Sequence, residues 1–78
     1  MRKKEQKLII TFHTTEEAME MEEFCRQRQI EGRLIPVPRS ISAGCGLAWC
    51  ASPESRQMIT NAIAQAGIKT QAIQECEV

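Results

Sequence analysis

The sequence IPVPRSISAGCG, residues 35–46, joins two predicted strands and decides the architecture of the chain. Its prolines fix φ and favour an extended approach to the turn. Glycines on both sides of Cys45 permit backbone conformations that other residues avoid. A connection this short makes the flanking strands, residues 33–37 and 47–51, antiparallel neighbours. We therefore predict a hairpin whose first strand, because it contains Pro36, lies at a sheet edge. The turn is expected to expose the sulfur of Cys45.

A strand and a helix precede this hairpin. Residues 7–12, KLIITF, are strand-forming and apolar on both faces, which predicts a central strand. Thr14 and Glu17 have the spacing of a capping box, so we predict a helix from there to about Gln29. Gly32 suits a left-handed position at the end of that helix. The predicted stripe on the helix surface comprises Ala18, Met21, Phe24, Cys25 and Arg28.

A second helix and a last strand follow the hairpin. Residues 52–54 predict the start of a helix. Ser52 can cap it, Pro53 takes the first helical position, and Glu54 places an acid in the first turn. Gly67 is expected to end it. Residues 71–78, QAIQECEV, are polar-rich and predict a strand at the other sheet edge. The apolar stripe of this helix comprises Met58, Ile59, Ala62, Ile63 and Ala66.

The order strand, helix, strand, strand, helix, strand predicts an α+β, ferredoxin-like βαββαβ sandwich. We expect one domain over residues 1–78, with residues 1–6 as a frayed terminus. Its four-stranded antiparallel sheet should have the order 4-1-3-2 and carry both helices on one face. The predicted core comprises Leu8, Ile10, Phe12, Met21, Phe24, Cys25, Ile59, Ile63 and one face of the third strand.

Composition excludes several classes of function. Ten basic and ten acidic residues cancel, so the chain has no electrostatic footprint for nucleic acid. The apolar run after the basic start, residues 8–12, is too short for a signal peptide or a membrane span, and we expect a cytoplasmic protein. There the four cysteines should be reduced thiols. They contain no C-x2-C pair and the only histidine is isolated, so we predict no metal and no cofactor.

The predicted topology brings candidate site residues to one end of the sheet. The first strand ends there, the first helix begins there, and the hairpin turns there. Cys45 and Arg39 should therefore lie near the helix start at Thr14. Helix N-termini and basic groups favour the thiolate, which is the reactive form of cysteine. His13 lies at the same end, either as a proton partner or only as an exposed residue.

The stretch from residue 35 to residue 48, IPVPR-x-IS-x-x-CG-x-A, resembles the selenium/sulfur carrier-like family of small proteins of unknown function. The similarity extends over nearly the whole chain. It implies that Cys45 is the carrier thiol, that Arg39, Ser42 and Gly46 shape its loop, and that sulfurtransferase-like proteins are its partners. The candidate residues are Cys45, Arg39 and His13 at the thiol, with Pro38, Ser42, Gly44, Gly46 and Thr14 in the binding loop.

Two classes of function remain open from the sequence. In the first, the protein is a carrier rather than a catalyst: Cys45 accepts a persulfide-type adduct from a donor protein and passes it to an acceptor by thiol exchange. In the second, the turn belongs to a small-ligand or anion-binding or regulatory interaction module, and Cys45 is incidental, because ferredoxin-like folds host unrelated functions. No acid/base pair supports a hydrolase or transferase. Two edge strands also permit a homodimer.

Overall fold

The computed structural model describes residues 5–39, 41 and 45–77. A 3-10 turn, Pro53–Ser55, precedes the second helix. The strands and helices are β1 (Gln6–Thr11), α1 (Thr15–Arg28), β2 (Arg33–Pro36), β3 (Leu47–Ala51), α2 (Arg56–Ala66) and β4 (Ala72–Glu77). This order confirms the predicted ferredoxin-like α+β fold. Neither helix is long and apolar enough to cross a bilayer.

The four strands form one antiparallel sheet in the order β2-β3-β1-β4. The predicted order is therefore confirmed, with β1 in the interior and with β2 and β4 at the edges. Pro36 lies opposite Leu47 at the end of β2. An edge strand tolerates proline there because the missing N–H need not pair on the solvent side.

Both helices pack on the same face of the sheet, as the sequence predicts. Alternate residues of β1 and β3 join the inward residues of α1 and α2 in one buried cluster. Ile9, Thr11 and Ala48 face the other side of the sheet and are buried as well, which agrees with a central β1 that is apolar on both faces. The cluster comprises Leu8, Ile10, Phe12, Ala18, Met21, Cys25, Trp49, Ala51, Ile59 and Ile63.

One predicted core residue is not fully buried. Phe24 is only half-buried at the margin of the core, because the inward positions of α1 are Ala18, Met21 and Cys25. Its ring carries the Arg28 guanidinium 5.0 Å from the centroid, a cation–π contact at the surface.

In α2 the predicted apolar stripe is wider than the part that reaches the core, because the Met58 side chain is 52% exposed. The helix directs one narrow line of side chains, Ile59 and Ile63, into the core. Met58 precedes Ile59 by one residue and is therefore rotated about a quarter turn towards solvent.

The end of α1 also differs from the prediction. Gln29, with φ 57°, is the left-handed residue that caps the helix, and its N–H donates to the Arg26 carbonyl. Gly32, with φ 132°, is needed for a different reason. A Cβ at that position would overlap the indole of Trp49 and stand 2.8 Å from the Cys50 carbonyl oxygen. The glycine thus permits β2 to begin close against β3.

Candidate thiol site

Cys45 lies at the end of the sheet where β3 begins. Beyond Pro36, the N–H of Val37 donates to the Gly46 carbonyl at 3.0 Å and prolongs the hairpin by one bond. Because β1 and β3 are antiparallel, this is also the end at which β1 finishes and α1 starts. We call this region, which holds Cys45, Gly46 and residues 13–17, the thiol end.

The Cys45 sulfur is half-buried and packs against the core cluster. Its Sγ accepts the N–H of Leu47 at 3.4 Å, and its thiol donates to the Leu47 carbonyl at 3.5 Å. Gly46, with φ 82°, provides the turn that folds the chain back in this way. The sulfur is therefore less exposed than the Gly-Cys-Gly sequence predicts, and it has a backbone N–H donor of its own.

The start of α1 is a capping box. The Thr14 Oγ1 accepts the N–H of Glu17 at 3.1 Å, and the Glu17 Oε1 accepts the N–H of His13 at 2.8 Å. The His13 Nδ1 lies 3.2 Å from the same oxygen. The hydrogen bond from the His13 backbone, with the imidazole beside it, lowers the pKa of the Glu17 carboxyl below its ordinary value.

These contacts define the positions of the two candidates at the helix start. Both His13 and Thr14 are exposed, and both are engaged in the cap. Among the described residues, the hydrogen bonds of the Cys45 sulfur go to Leu47 and not to this helix start. The topology thus brings His13 and Thr14 to the thiol end, while their hydrogen bonds stay within the capping box.

The binding loop is described in part. Pro38 is half-buried, and its carbonyl accepts the N–H of Ile41 at 2.9 Å, so that the exposed Arg39 lies within this turn. No hydrogen bond joins Arg39 to the Cys45 sulfur in the part of the loop that is described. Ser42 and Gly44, two further candidates, lie outside the described residues.

A comparison with protein families finds a match for this chain. The model described as "Putative Se/S carrier protein-like" covers residues 7–75. The chain belongs to this family. The resemblance seen in the sequence is thereby confirmed, and a carrier-like family implies contact with partner proteins. No curated protein and no solved structure matches the chain.

The chain has four cysteines, and the structure places them in different surroundings. None of them is in a disulfide. Cys25 is fully buried in the core, where burial raises the pKa of its thiol to about 11. Cys50 and Cys76 lie half-buried on the sheet face away from the helices. The Cys76 thiol donates to the Glu77 carbonyl at 3.4 Å.

Sequence reasoning missed the backbone of Leu47 as a contact of Cys45. The contact depends on the chain reversing at Gly46, which brings residues two positions apart together. The glycine after the cysteine was the available signal, because a residue with positive φ at that position lets the following N–H turn back on the preceding side chain.

Proposed function

We propose that this protein carries sulfur or selenium as a persulfide-type adduct on Cys45. The observation that supports this most strongly is the half-buried Cys45 sulfur at the start of β3, which accepts the N–H of Leu47, in a chain whose family is described as carrier-like. The thiol lies at a sheet end, where a second protein can approach it. Its sulfur is held in a defined place by the backbone.

The proposed transfer is a thiol exchange that needs no bound cofactor. The Cys45 thiolate attacks the terminal sulfur of a donor persulfide, the donor S–S bond breaks, and the donor leaves as a thiolate. Cys45 then holds the terminal sulfur as a persulfide. An acceptor thiolate attacks that sulfur in turn, and the Cys45 thiolate is the leaving group. Selenium would follow the same course in place of the terminal sulfur.

The backbone of Leu47 would assist the discharge step. As a thiol, Cys45 donates to the Leu47 carbonyl and accepts from the Leu47 N–H. Loss of the proton removes the first bond and leaves the second. An N–H donor to a sulfur anion is a charge-assisted hydrogen bond, which is stronger than its neutral counterpart. Leu47 therefore favours Cys45 as a leaving group in the discharge step.

Arg39 is the residue that we propose for the approach of the donor. Its side chain is exposed on the turn formed by Pro38 and Ile41, at the thiol end and without an ion pair to another described residue. A cation in this position attracts an incoming donor persulfide anion, or its analogue with selenium as the terminal atom. Pro38 and Gly46 would act by shaping the loop, and His13 and Thr14 by fixing the neighbouring helix start.

The partners in this proposal are sulfurtransferase-like donor and acceptor proteins in the cytoplasm, with no nucleic acid and no membrane. A homodimer through the edge strands β2 and β4 remains a further proposal. The anion-binding alternative has weaker support at the helix start. The depression there, about 620 Å³, is lined by three carboxylates, Glu16, Glu17 and Glu20, against one cation, Lys69.

Loading by a cysteine desulfurase tests the proposal. The protein is incubated with the desulfurase and free cysteine, and its intact mass is recorded without reductant. We expect the mass of added sulfur in the wild type and in Cys50→Ser, and none in Cys45→Ser. Arg39→Ala should load several-fold more slowly. Equal loading of Cys45→Ser and the wild type would overturn the carrier function and favour the ligand-binding module.

A further inference from the structure

A second thiol, Cys50, lies among basic side chains on the sheet face away from the helices. Arg33 of β2 is its direct cross-strand partner, and Ile9 of β1 is its partner on the other side. Side chains opposite each other in an antiparallel pair have Cβ atoms about 5 Å apart. Lys7 stands two residues before Ile9 and thus faces the same side, diagonally from Cys50.

These three side chains share a cavity of about 330 Å³, which is also lined by Glu31, Gly32 and Ser52. The cavity opens at the end of β3 opposite the thiol end, because Cys50 is near the finish of the strand and Cys45 precedes its start. Cys50 is half-buried on the cavity wall. The thiol thus lies in a concavity and not on a flat sheet surface.

The charges of this cavity do not cancel. The Glu31 carboxylate is occupied by the N–H of Ser52 at 3.0 Å and the hydroxyl of Ser55 at 3.4 Å. Lys7 lies 3.2 Å from Glu5, and this ion pair is at the surface, where such pairs are weak. Arg33 makes no ion pair with another described residue. The lining contains two cations, Lys7 and Arg33, and one carboxylate, Glu31, so its net charge is positive. A positively charged cavity concentrates anions.

We propose that Lys7, Arg33 and Cys50 form a second thiol site, which takes small disulfides that carry carboxylates. Arg33 and Lys7 hold the carboxylates of the reagent, and the guanidinium is suited to bind one of them through two N–H groups. The cavity then presents the disulfide bond to the Cys50 sulfur. The site is separate from the carrier site, since it lies at the other end of β3 and on the other face of the sheet.

The reaction at this site is a thiol–disulfide exchange. The Cys50 thiolate attacks one sulfur of the disulfide, the disulfide bond breaks, and the other half leaves as a thiolate that takes up a proton. The product is a mixed disulfide on Cys50. The small disulfide is itself the oxidant, so that no other acceptor of electrons is needed. A free thiol reverses the modification by the same route.

The test compares two aromatic disulfides, one that carries carboxylates and one that does not. Dithiobis(nitrobenzoate) carries two carboxylates, and dithiodipyridine carries none. The native protein reacts with each, the reaction is quenched with acid, and the modification rate of every cysteine is obtained by peptide mass mapping. The quantity of interest is the ratio of the anionic to the neutral rate at Cys50. This ratio cancels changes in the accessibility of the sulfur.

We expect Arg33→Gln to lower this ratio about three- to fivefold at low ionic strength. Lys7→Gln should also lower it. Glu31→Gln should raise it. Arg56→Gln is the matched control, because Arg56 pairs with Glu75 on the helix side of the sheet and does not line the cavity. The ratio at Cys45 should be unchanged in Arg33→Gln.

Two outcomes would overturn the proposal. One is a ratio at Cys50 that Arg33→Gln changes no more than Arg56→Gln. The other is a Cys50 that neither reagent modifies while the protein is folded. Neither outcome bears on sulfur loading at Cys45, so the carrier function and this second site stand or fall separately.

Discussion

The core and the thiol end place the same kind of side chain, a cysteine, in opposite surroundings. Cys25 extends from the middle of α1 into the core cluster, where it is fully buried, and burial raises the pKa of its thiol to about 11. Cys45 sits where β3 begins, half-buried, with a backbone N–H on its sulfur. The difference lies in the surroundings, since a reactive cysteine needs access and a stabilised anion, and Cys25 has neither.

The largest expected effect is on the stability of the core. Phe12 is fully buried, so Phe12→Ala should cost about 3–5 kcal/mol in the free energy of unfolding, which is enough to unfold a domain of this size. Phe24 is half-buried under Arg28, and its truncation should cost roughly half as much. Urea denaturation of both variants gives the two values. Equal costs would contradict the assignment of Phe24 to the margin of the core.

The reactivity of the two cysteines should differ by about a hundredfold or more near neutral pH. A thiol with a pKa of about 11 has very little thiolate at pH 7, and the reagent cannot reach Cys25 while the protein is folded. Native alkylation with iodoacetamide, followed by peptide mass mapping, measures both rates. In urea the rates should converge. Rapid alkylation of Cys25 in the native protein would remove the distinction between the two regions.

Most of the fold could be predicted from the sequence because its signals are local. The alternation in β1, the capping box at Thr14 and the sequence Ser52-Pro53-Glu54 each specify an element through neighbouring residues, and the structure contains all three elements. Their order then leaves few topologies. The family resemblance also depends on contiguous sequence, and the family match confirms it.

The details that were missed depend on contacts between distant residues. Position 32 requires glycine because a Cβ there would overlap Trp49, and no pattern around residue 32 reveals that contact. Similarly, the half-burial of Cys45 results from packing against a core built by other elements. The pairing of Arg33 with Cys50 follows from the register of β2 on β3, which the residues around either position do not reveal.

The smallest expected effect concerns the helix start at the thiol end. The pKa of Glu17 is lowered in the folded protein, so its carboxylate stabilises the fold above its ordinary pKa near 4.5, and this stabilisation is lost as the pH falls through the lowered value. Glu17→Gln should therefore show a weaker decline of Tm between about pH 5 and pH 3 than the wild type. Glu20→Gln, at an exposed position of the same helix, is the matched control. Identical profiles for Glu17→Gln and the wild type would mean that the carboxylate charge does not support the cap.

Locating the sulfur cargo on the chain tests directly whether Cys45 carries it. The wild-type chain is loaded by a cysteine desulfurase with isotopically labelled cysteine, separated from the enzyme, capped at its persulfides and digested for peptide mass mapping. We expect the labelled sulfur on the peptide that contains Cys45. Cys25 should remain unlabelled because it is fully buried in the core. Label on Cys50 or Cys76 in place of Cys45 would contradict the account.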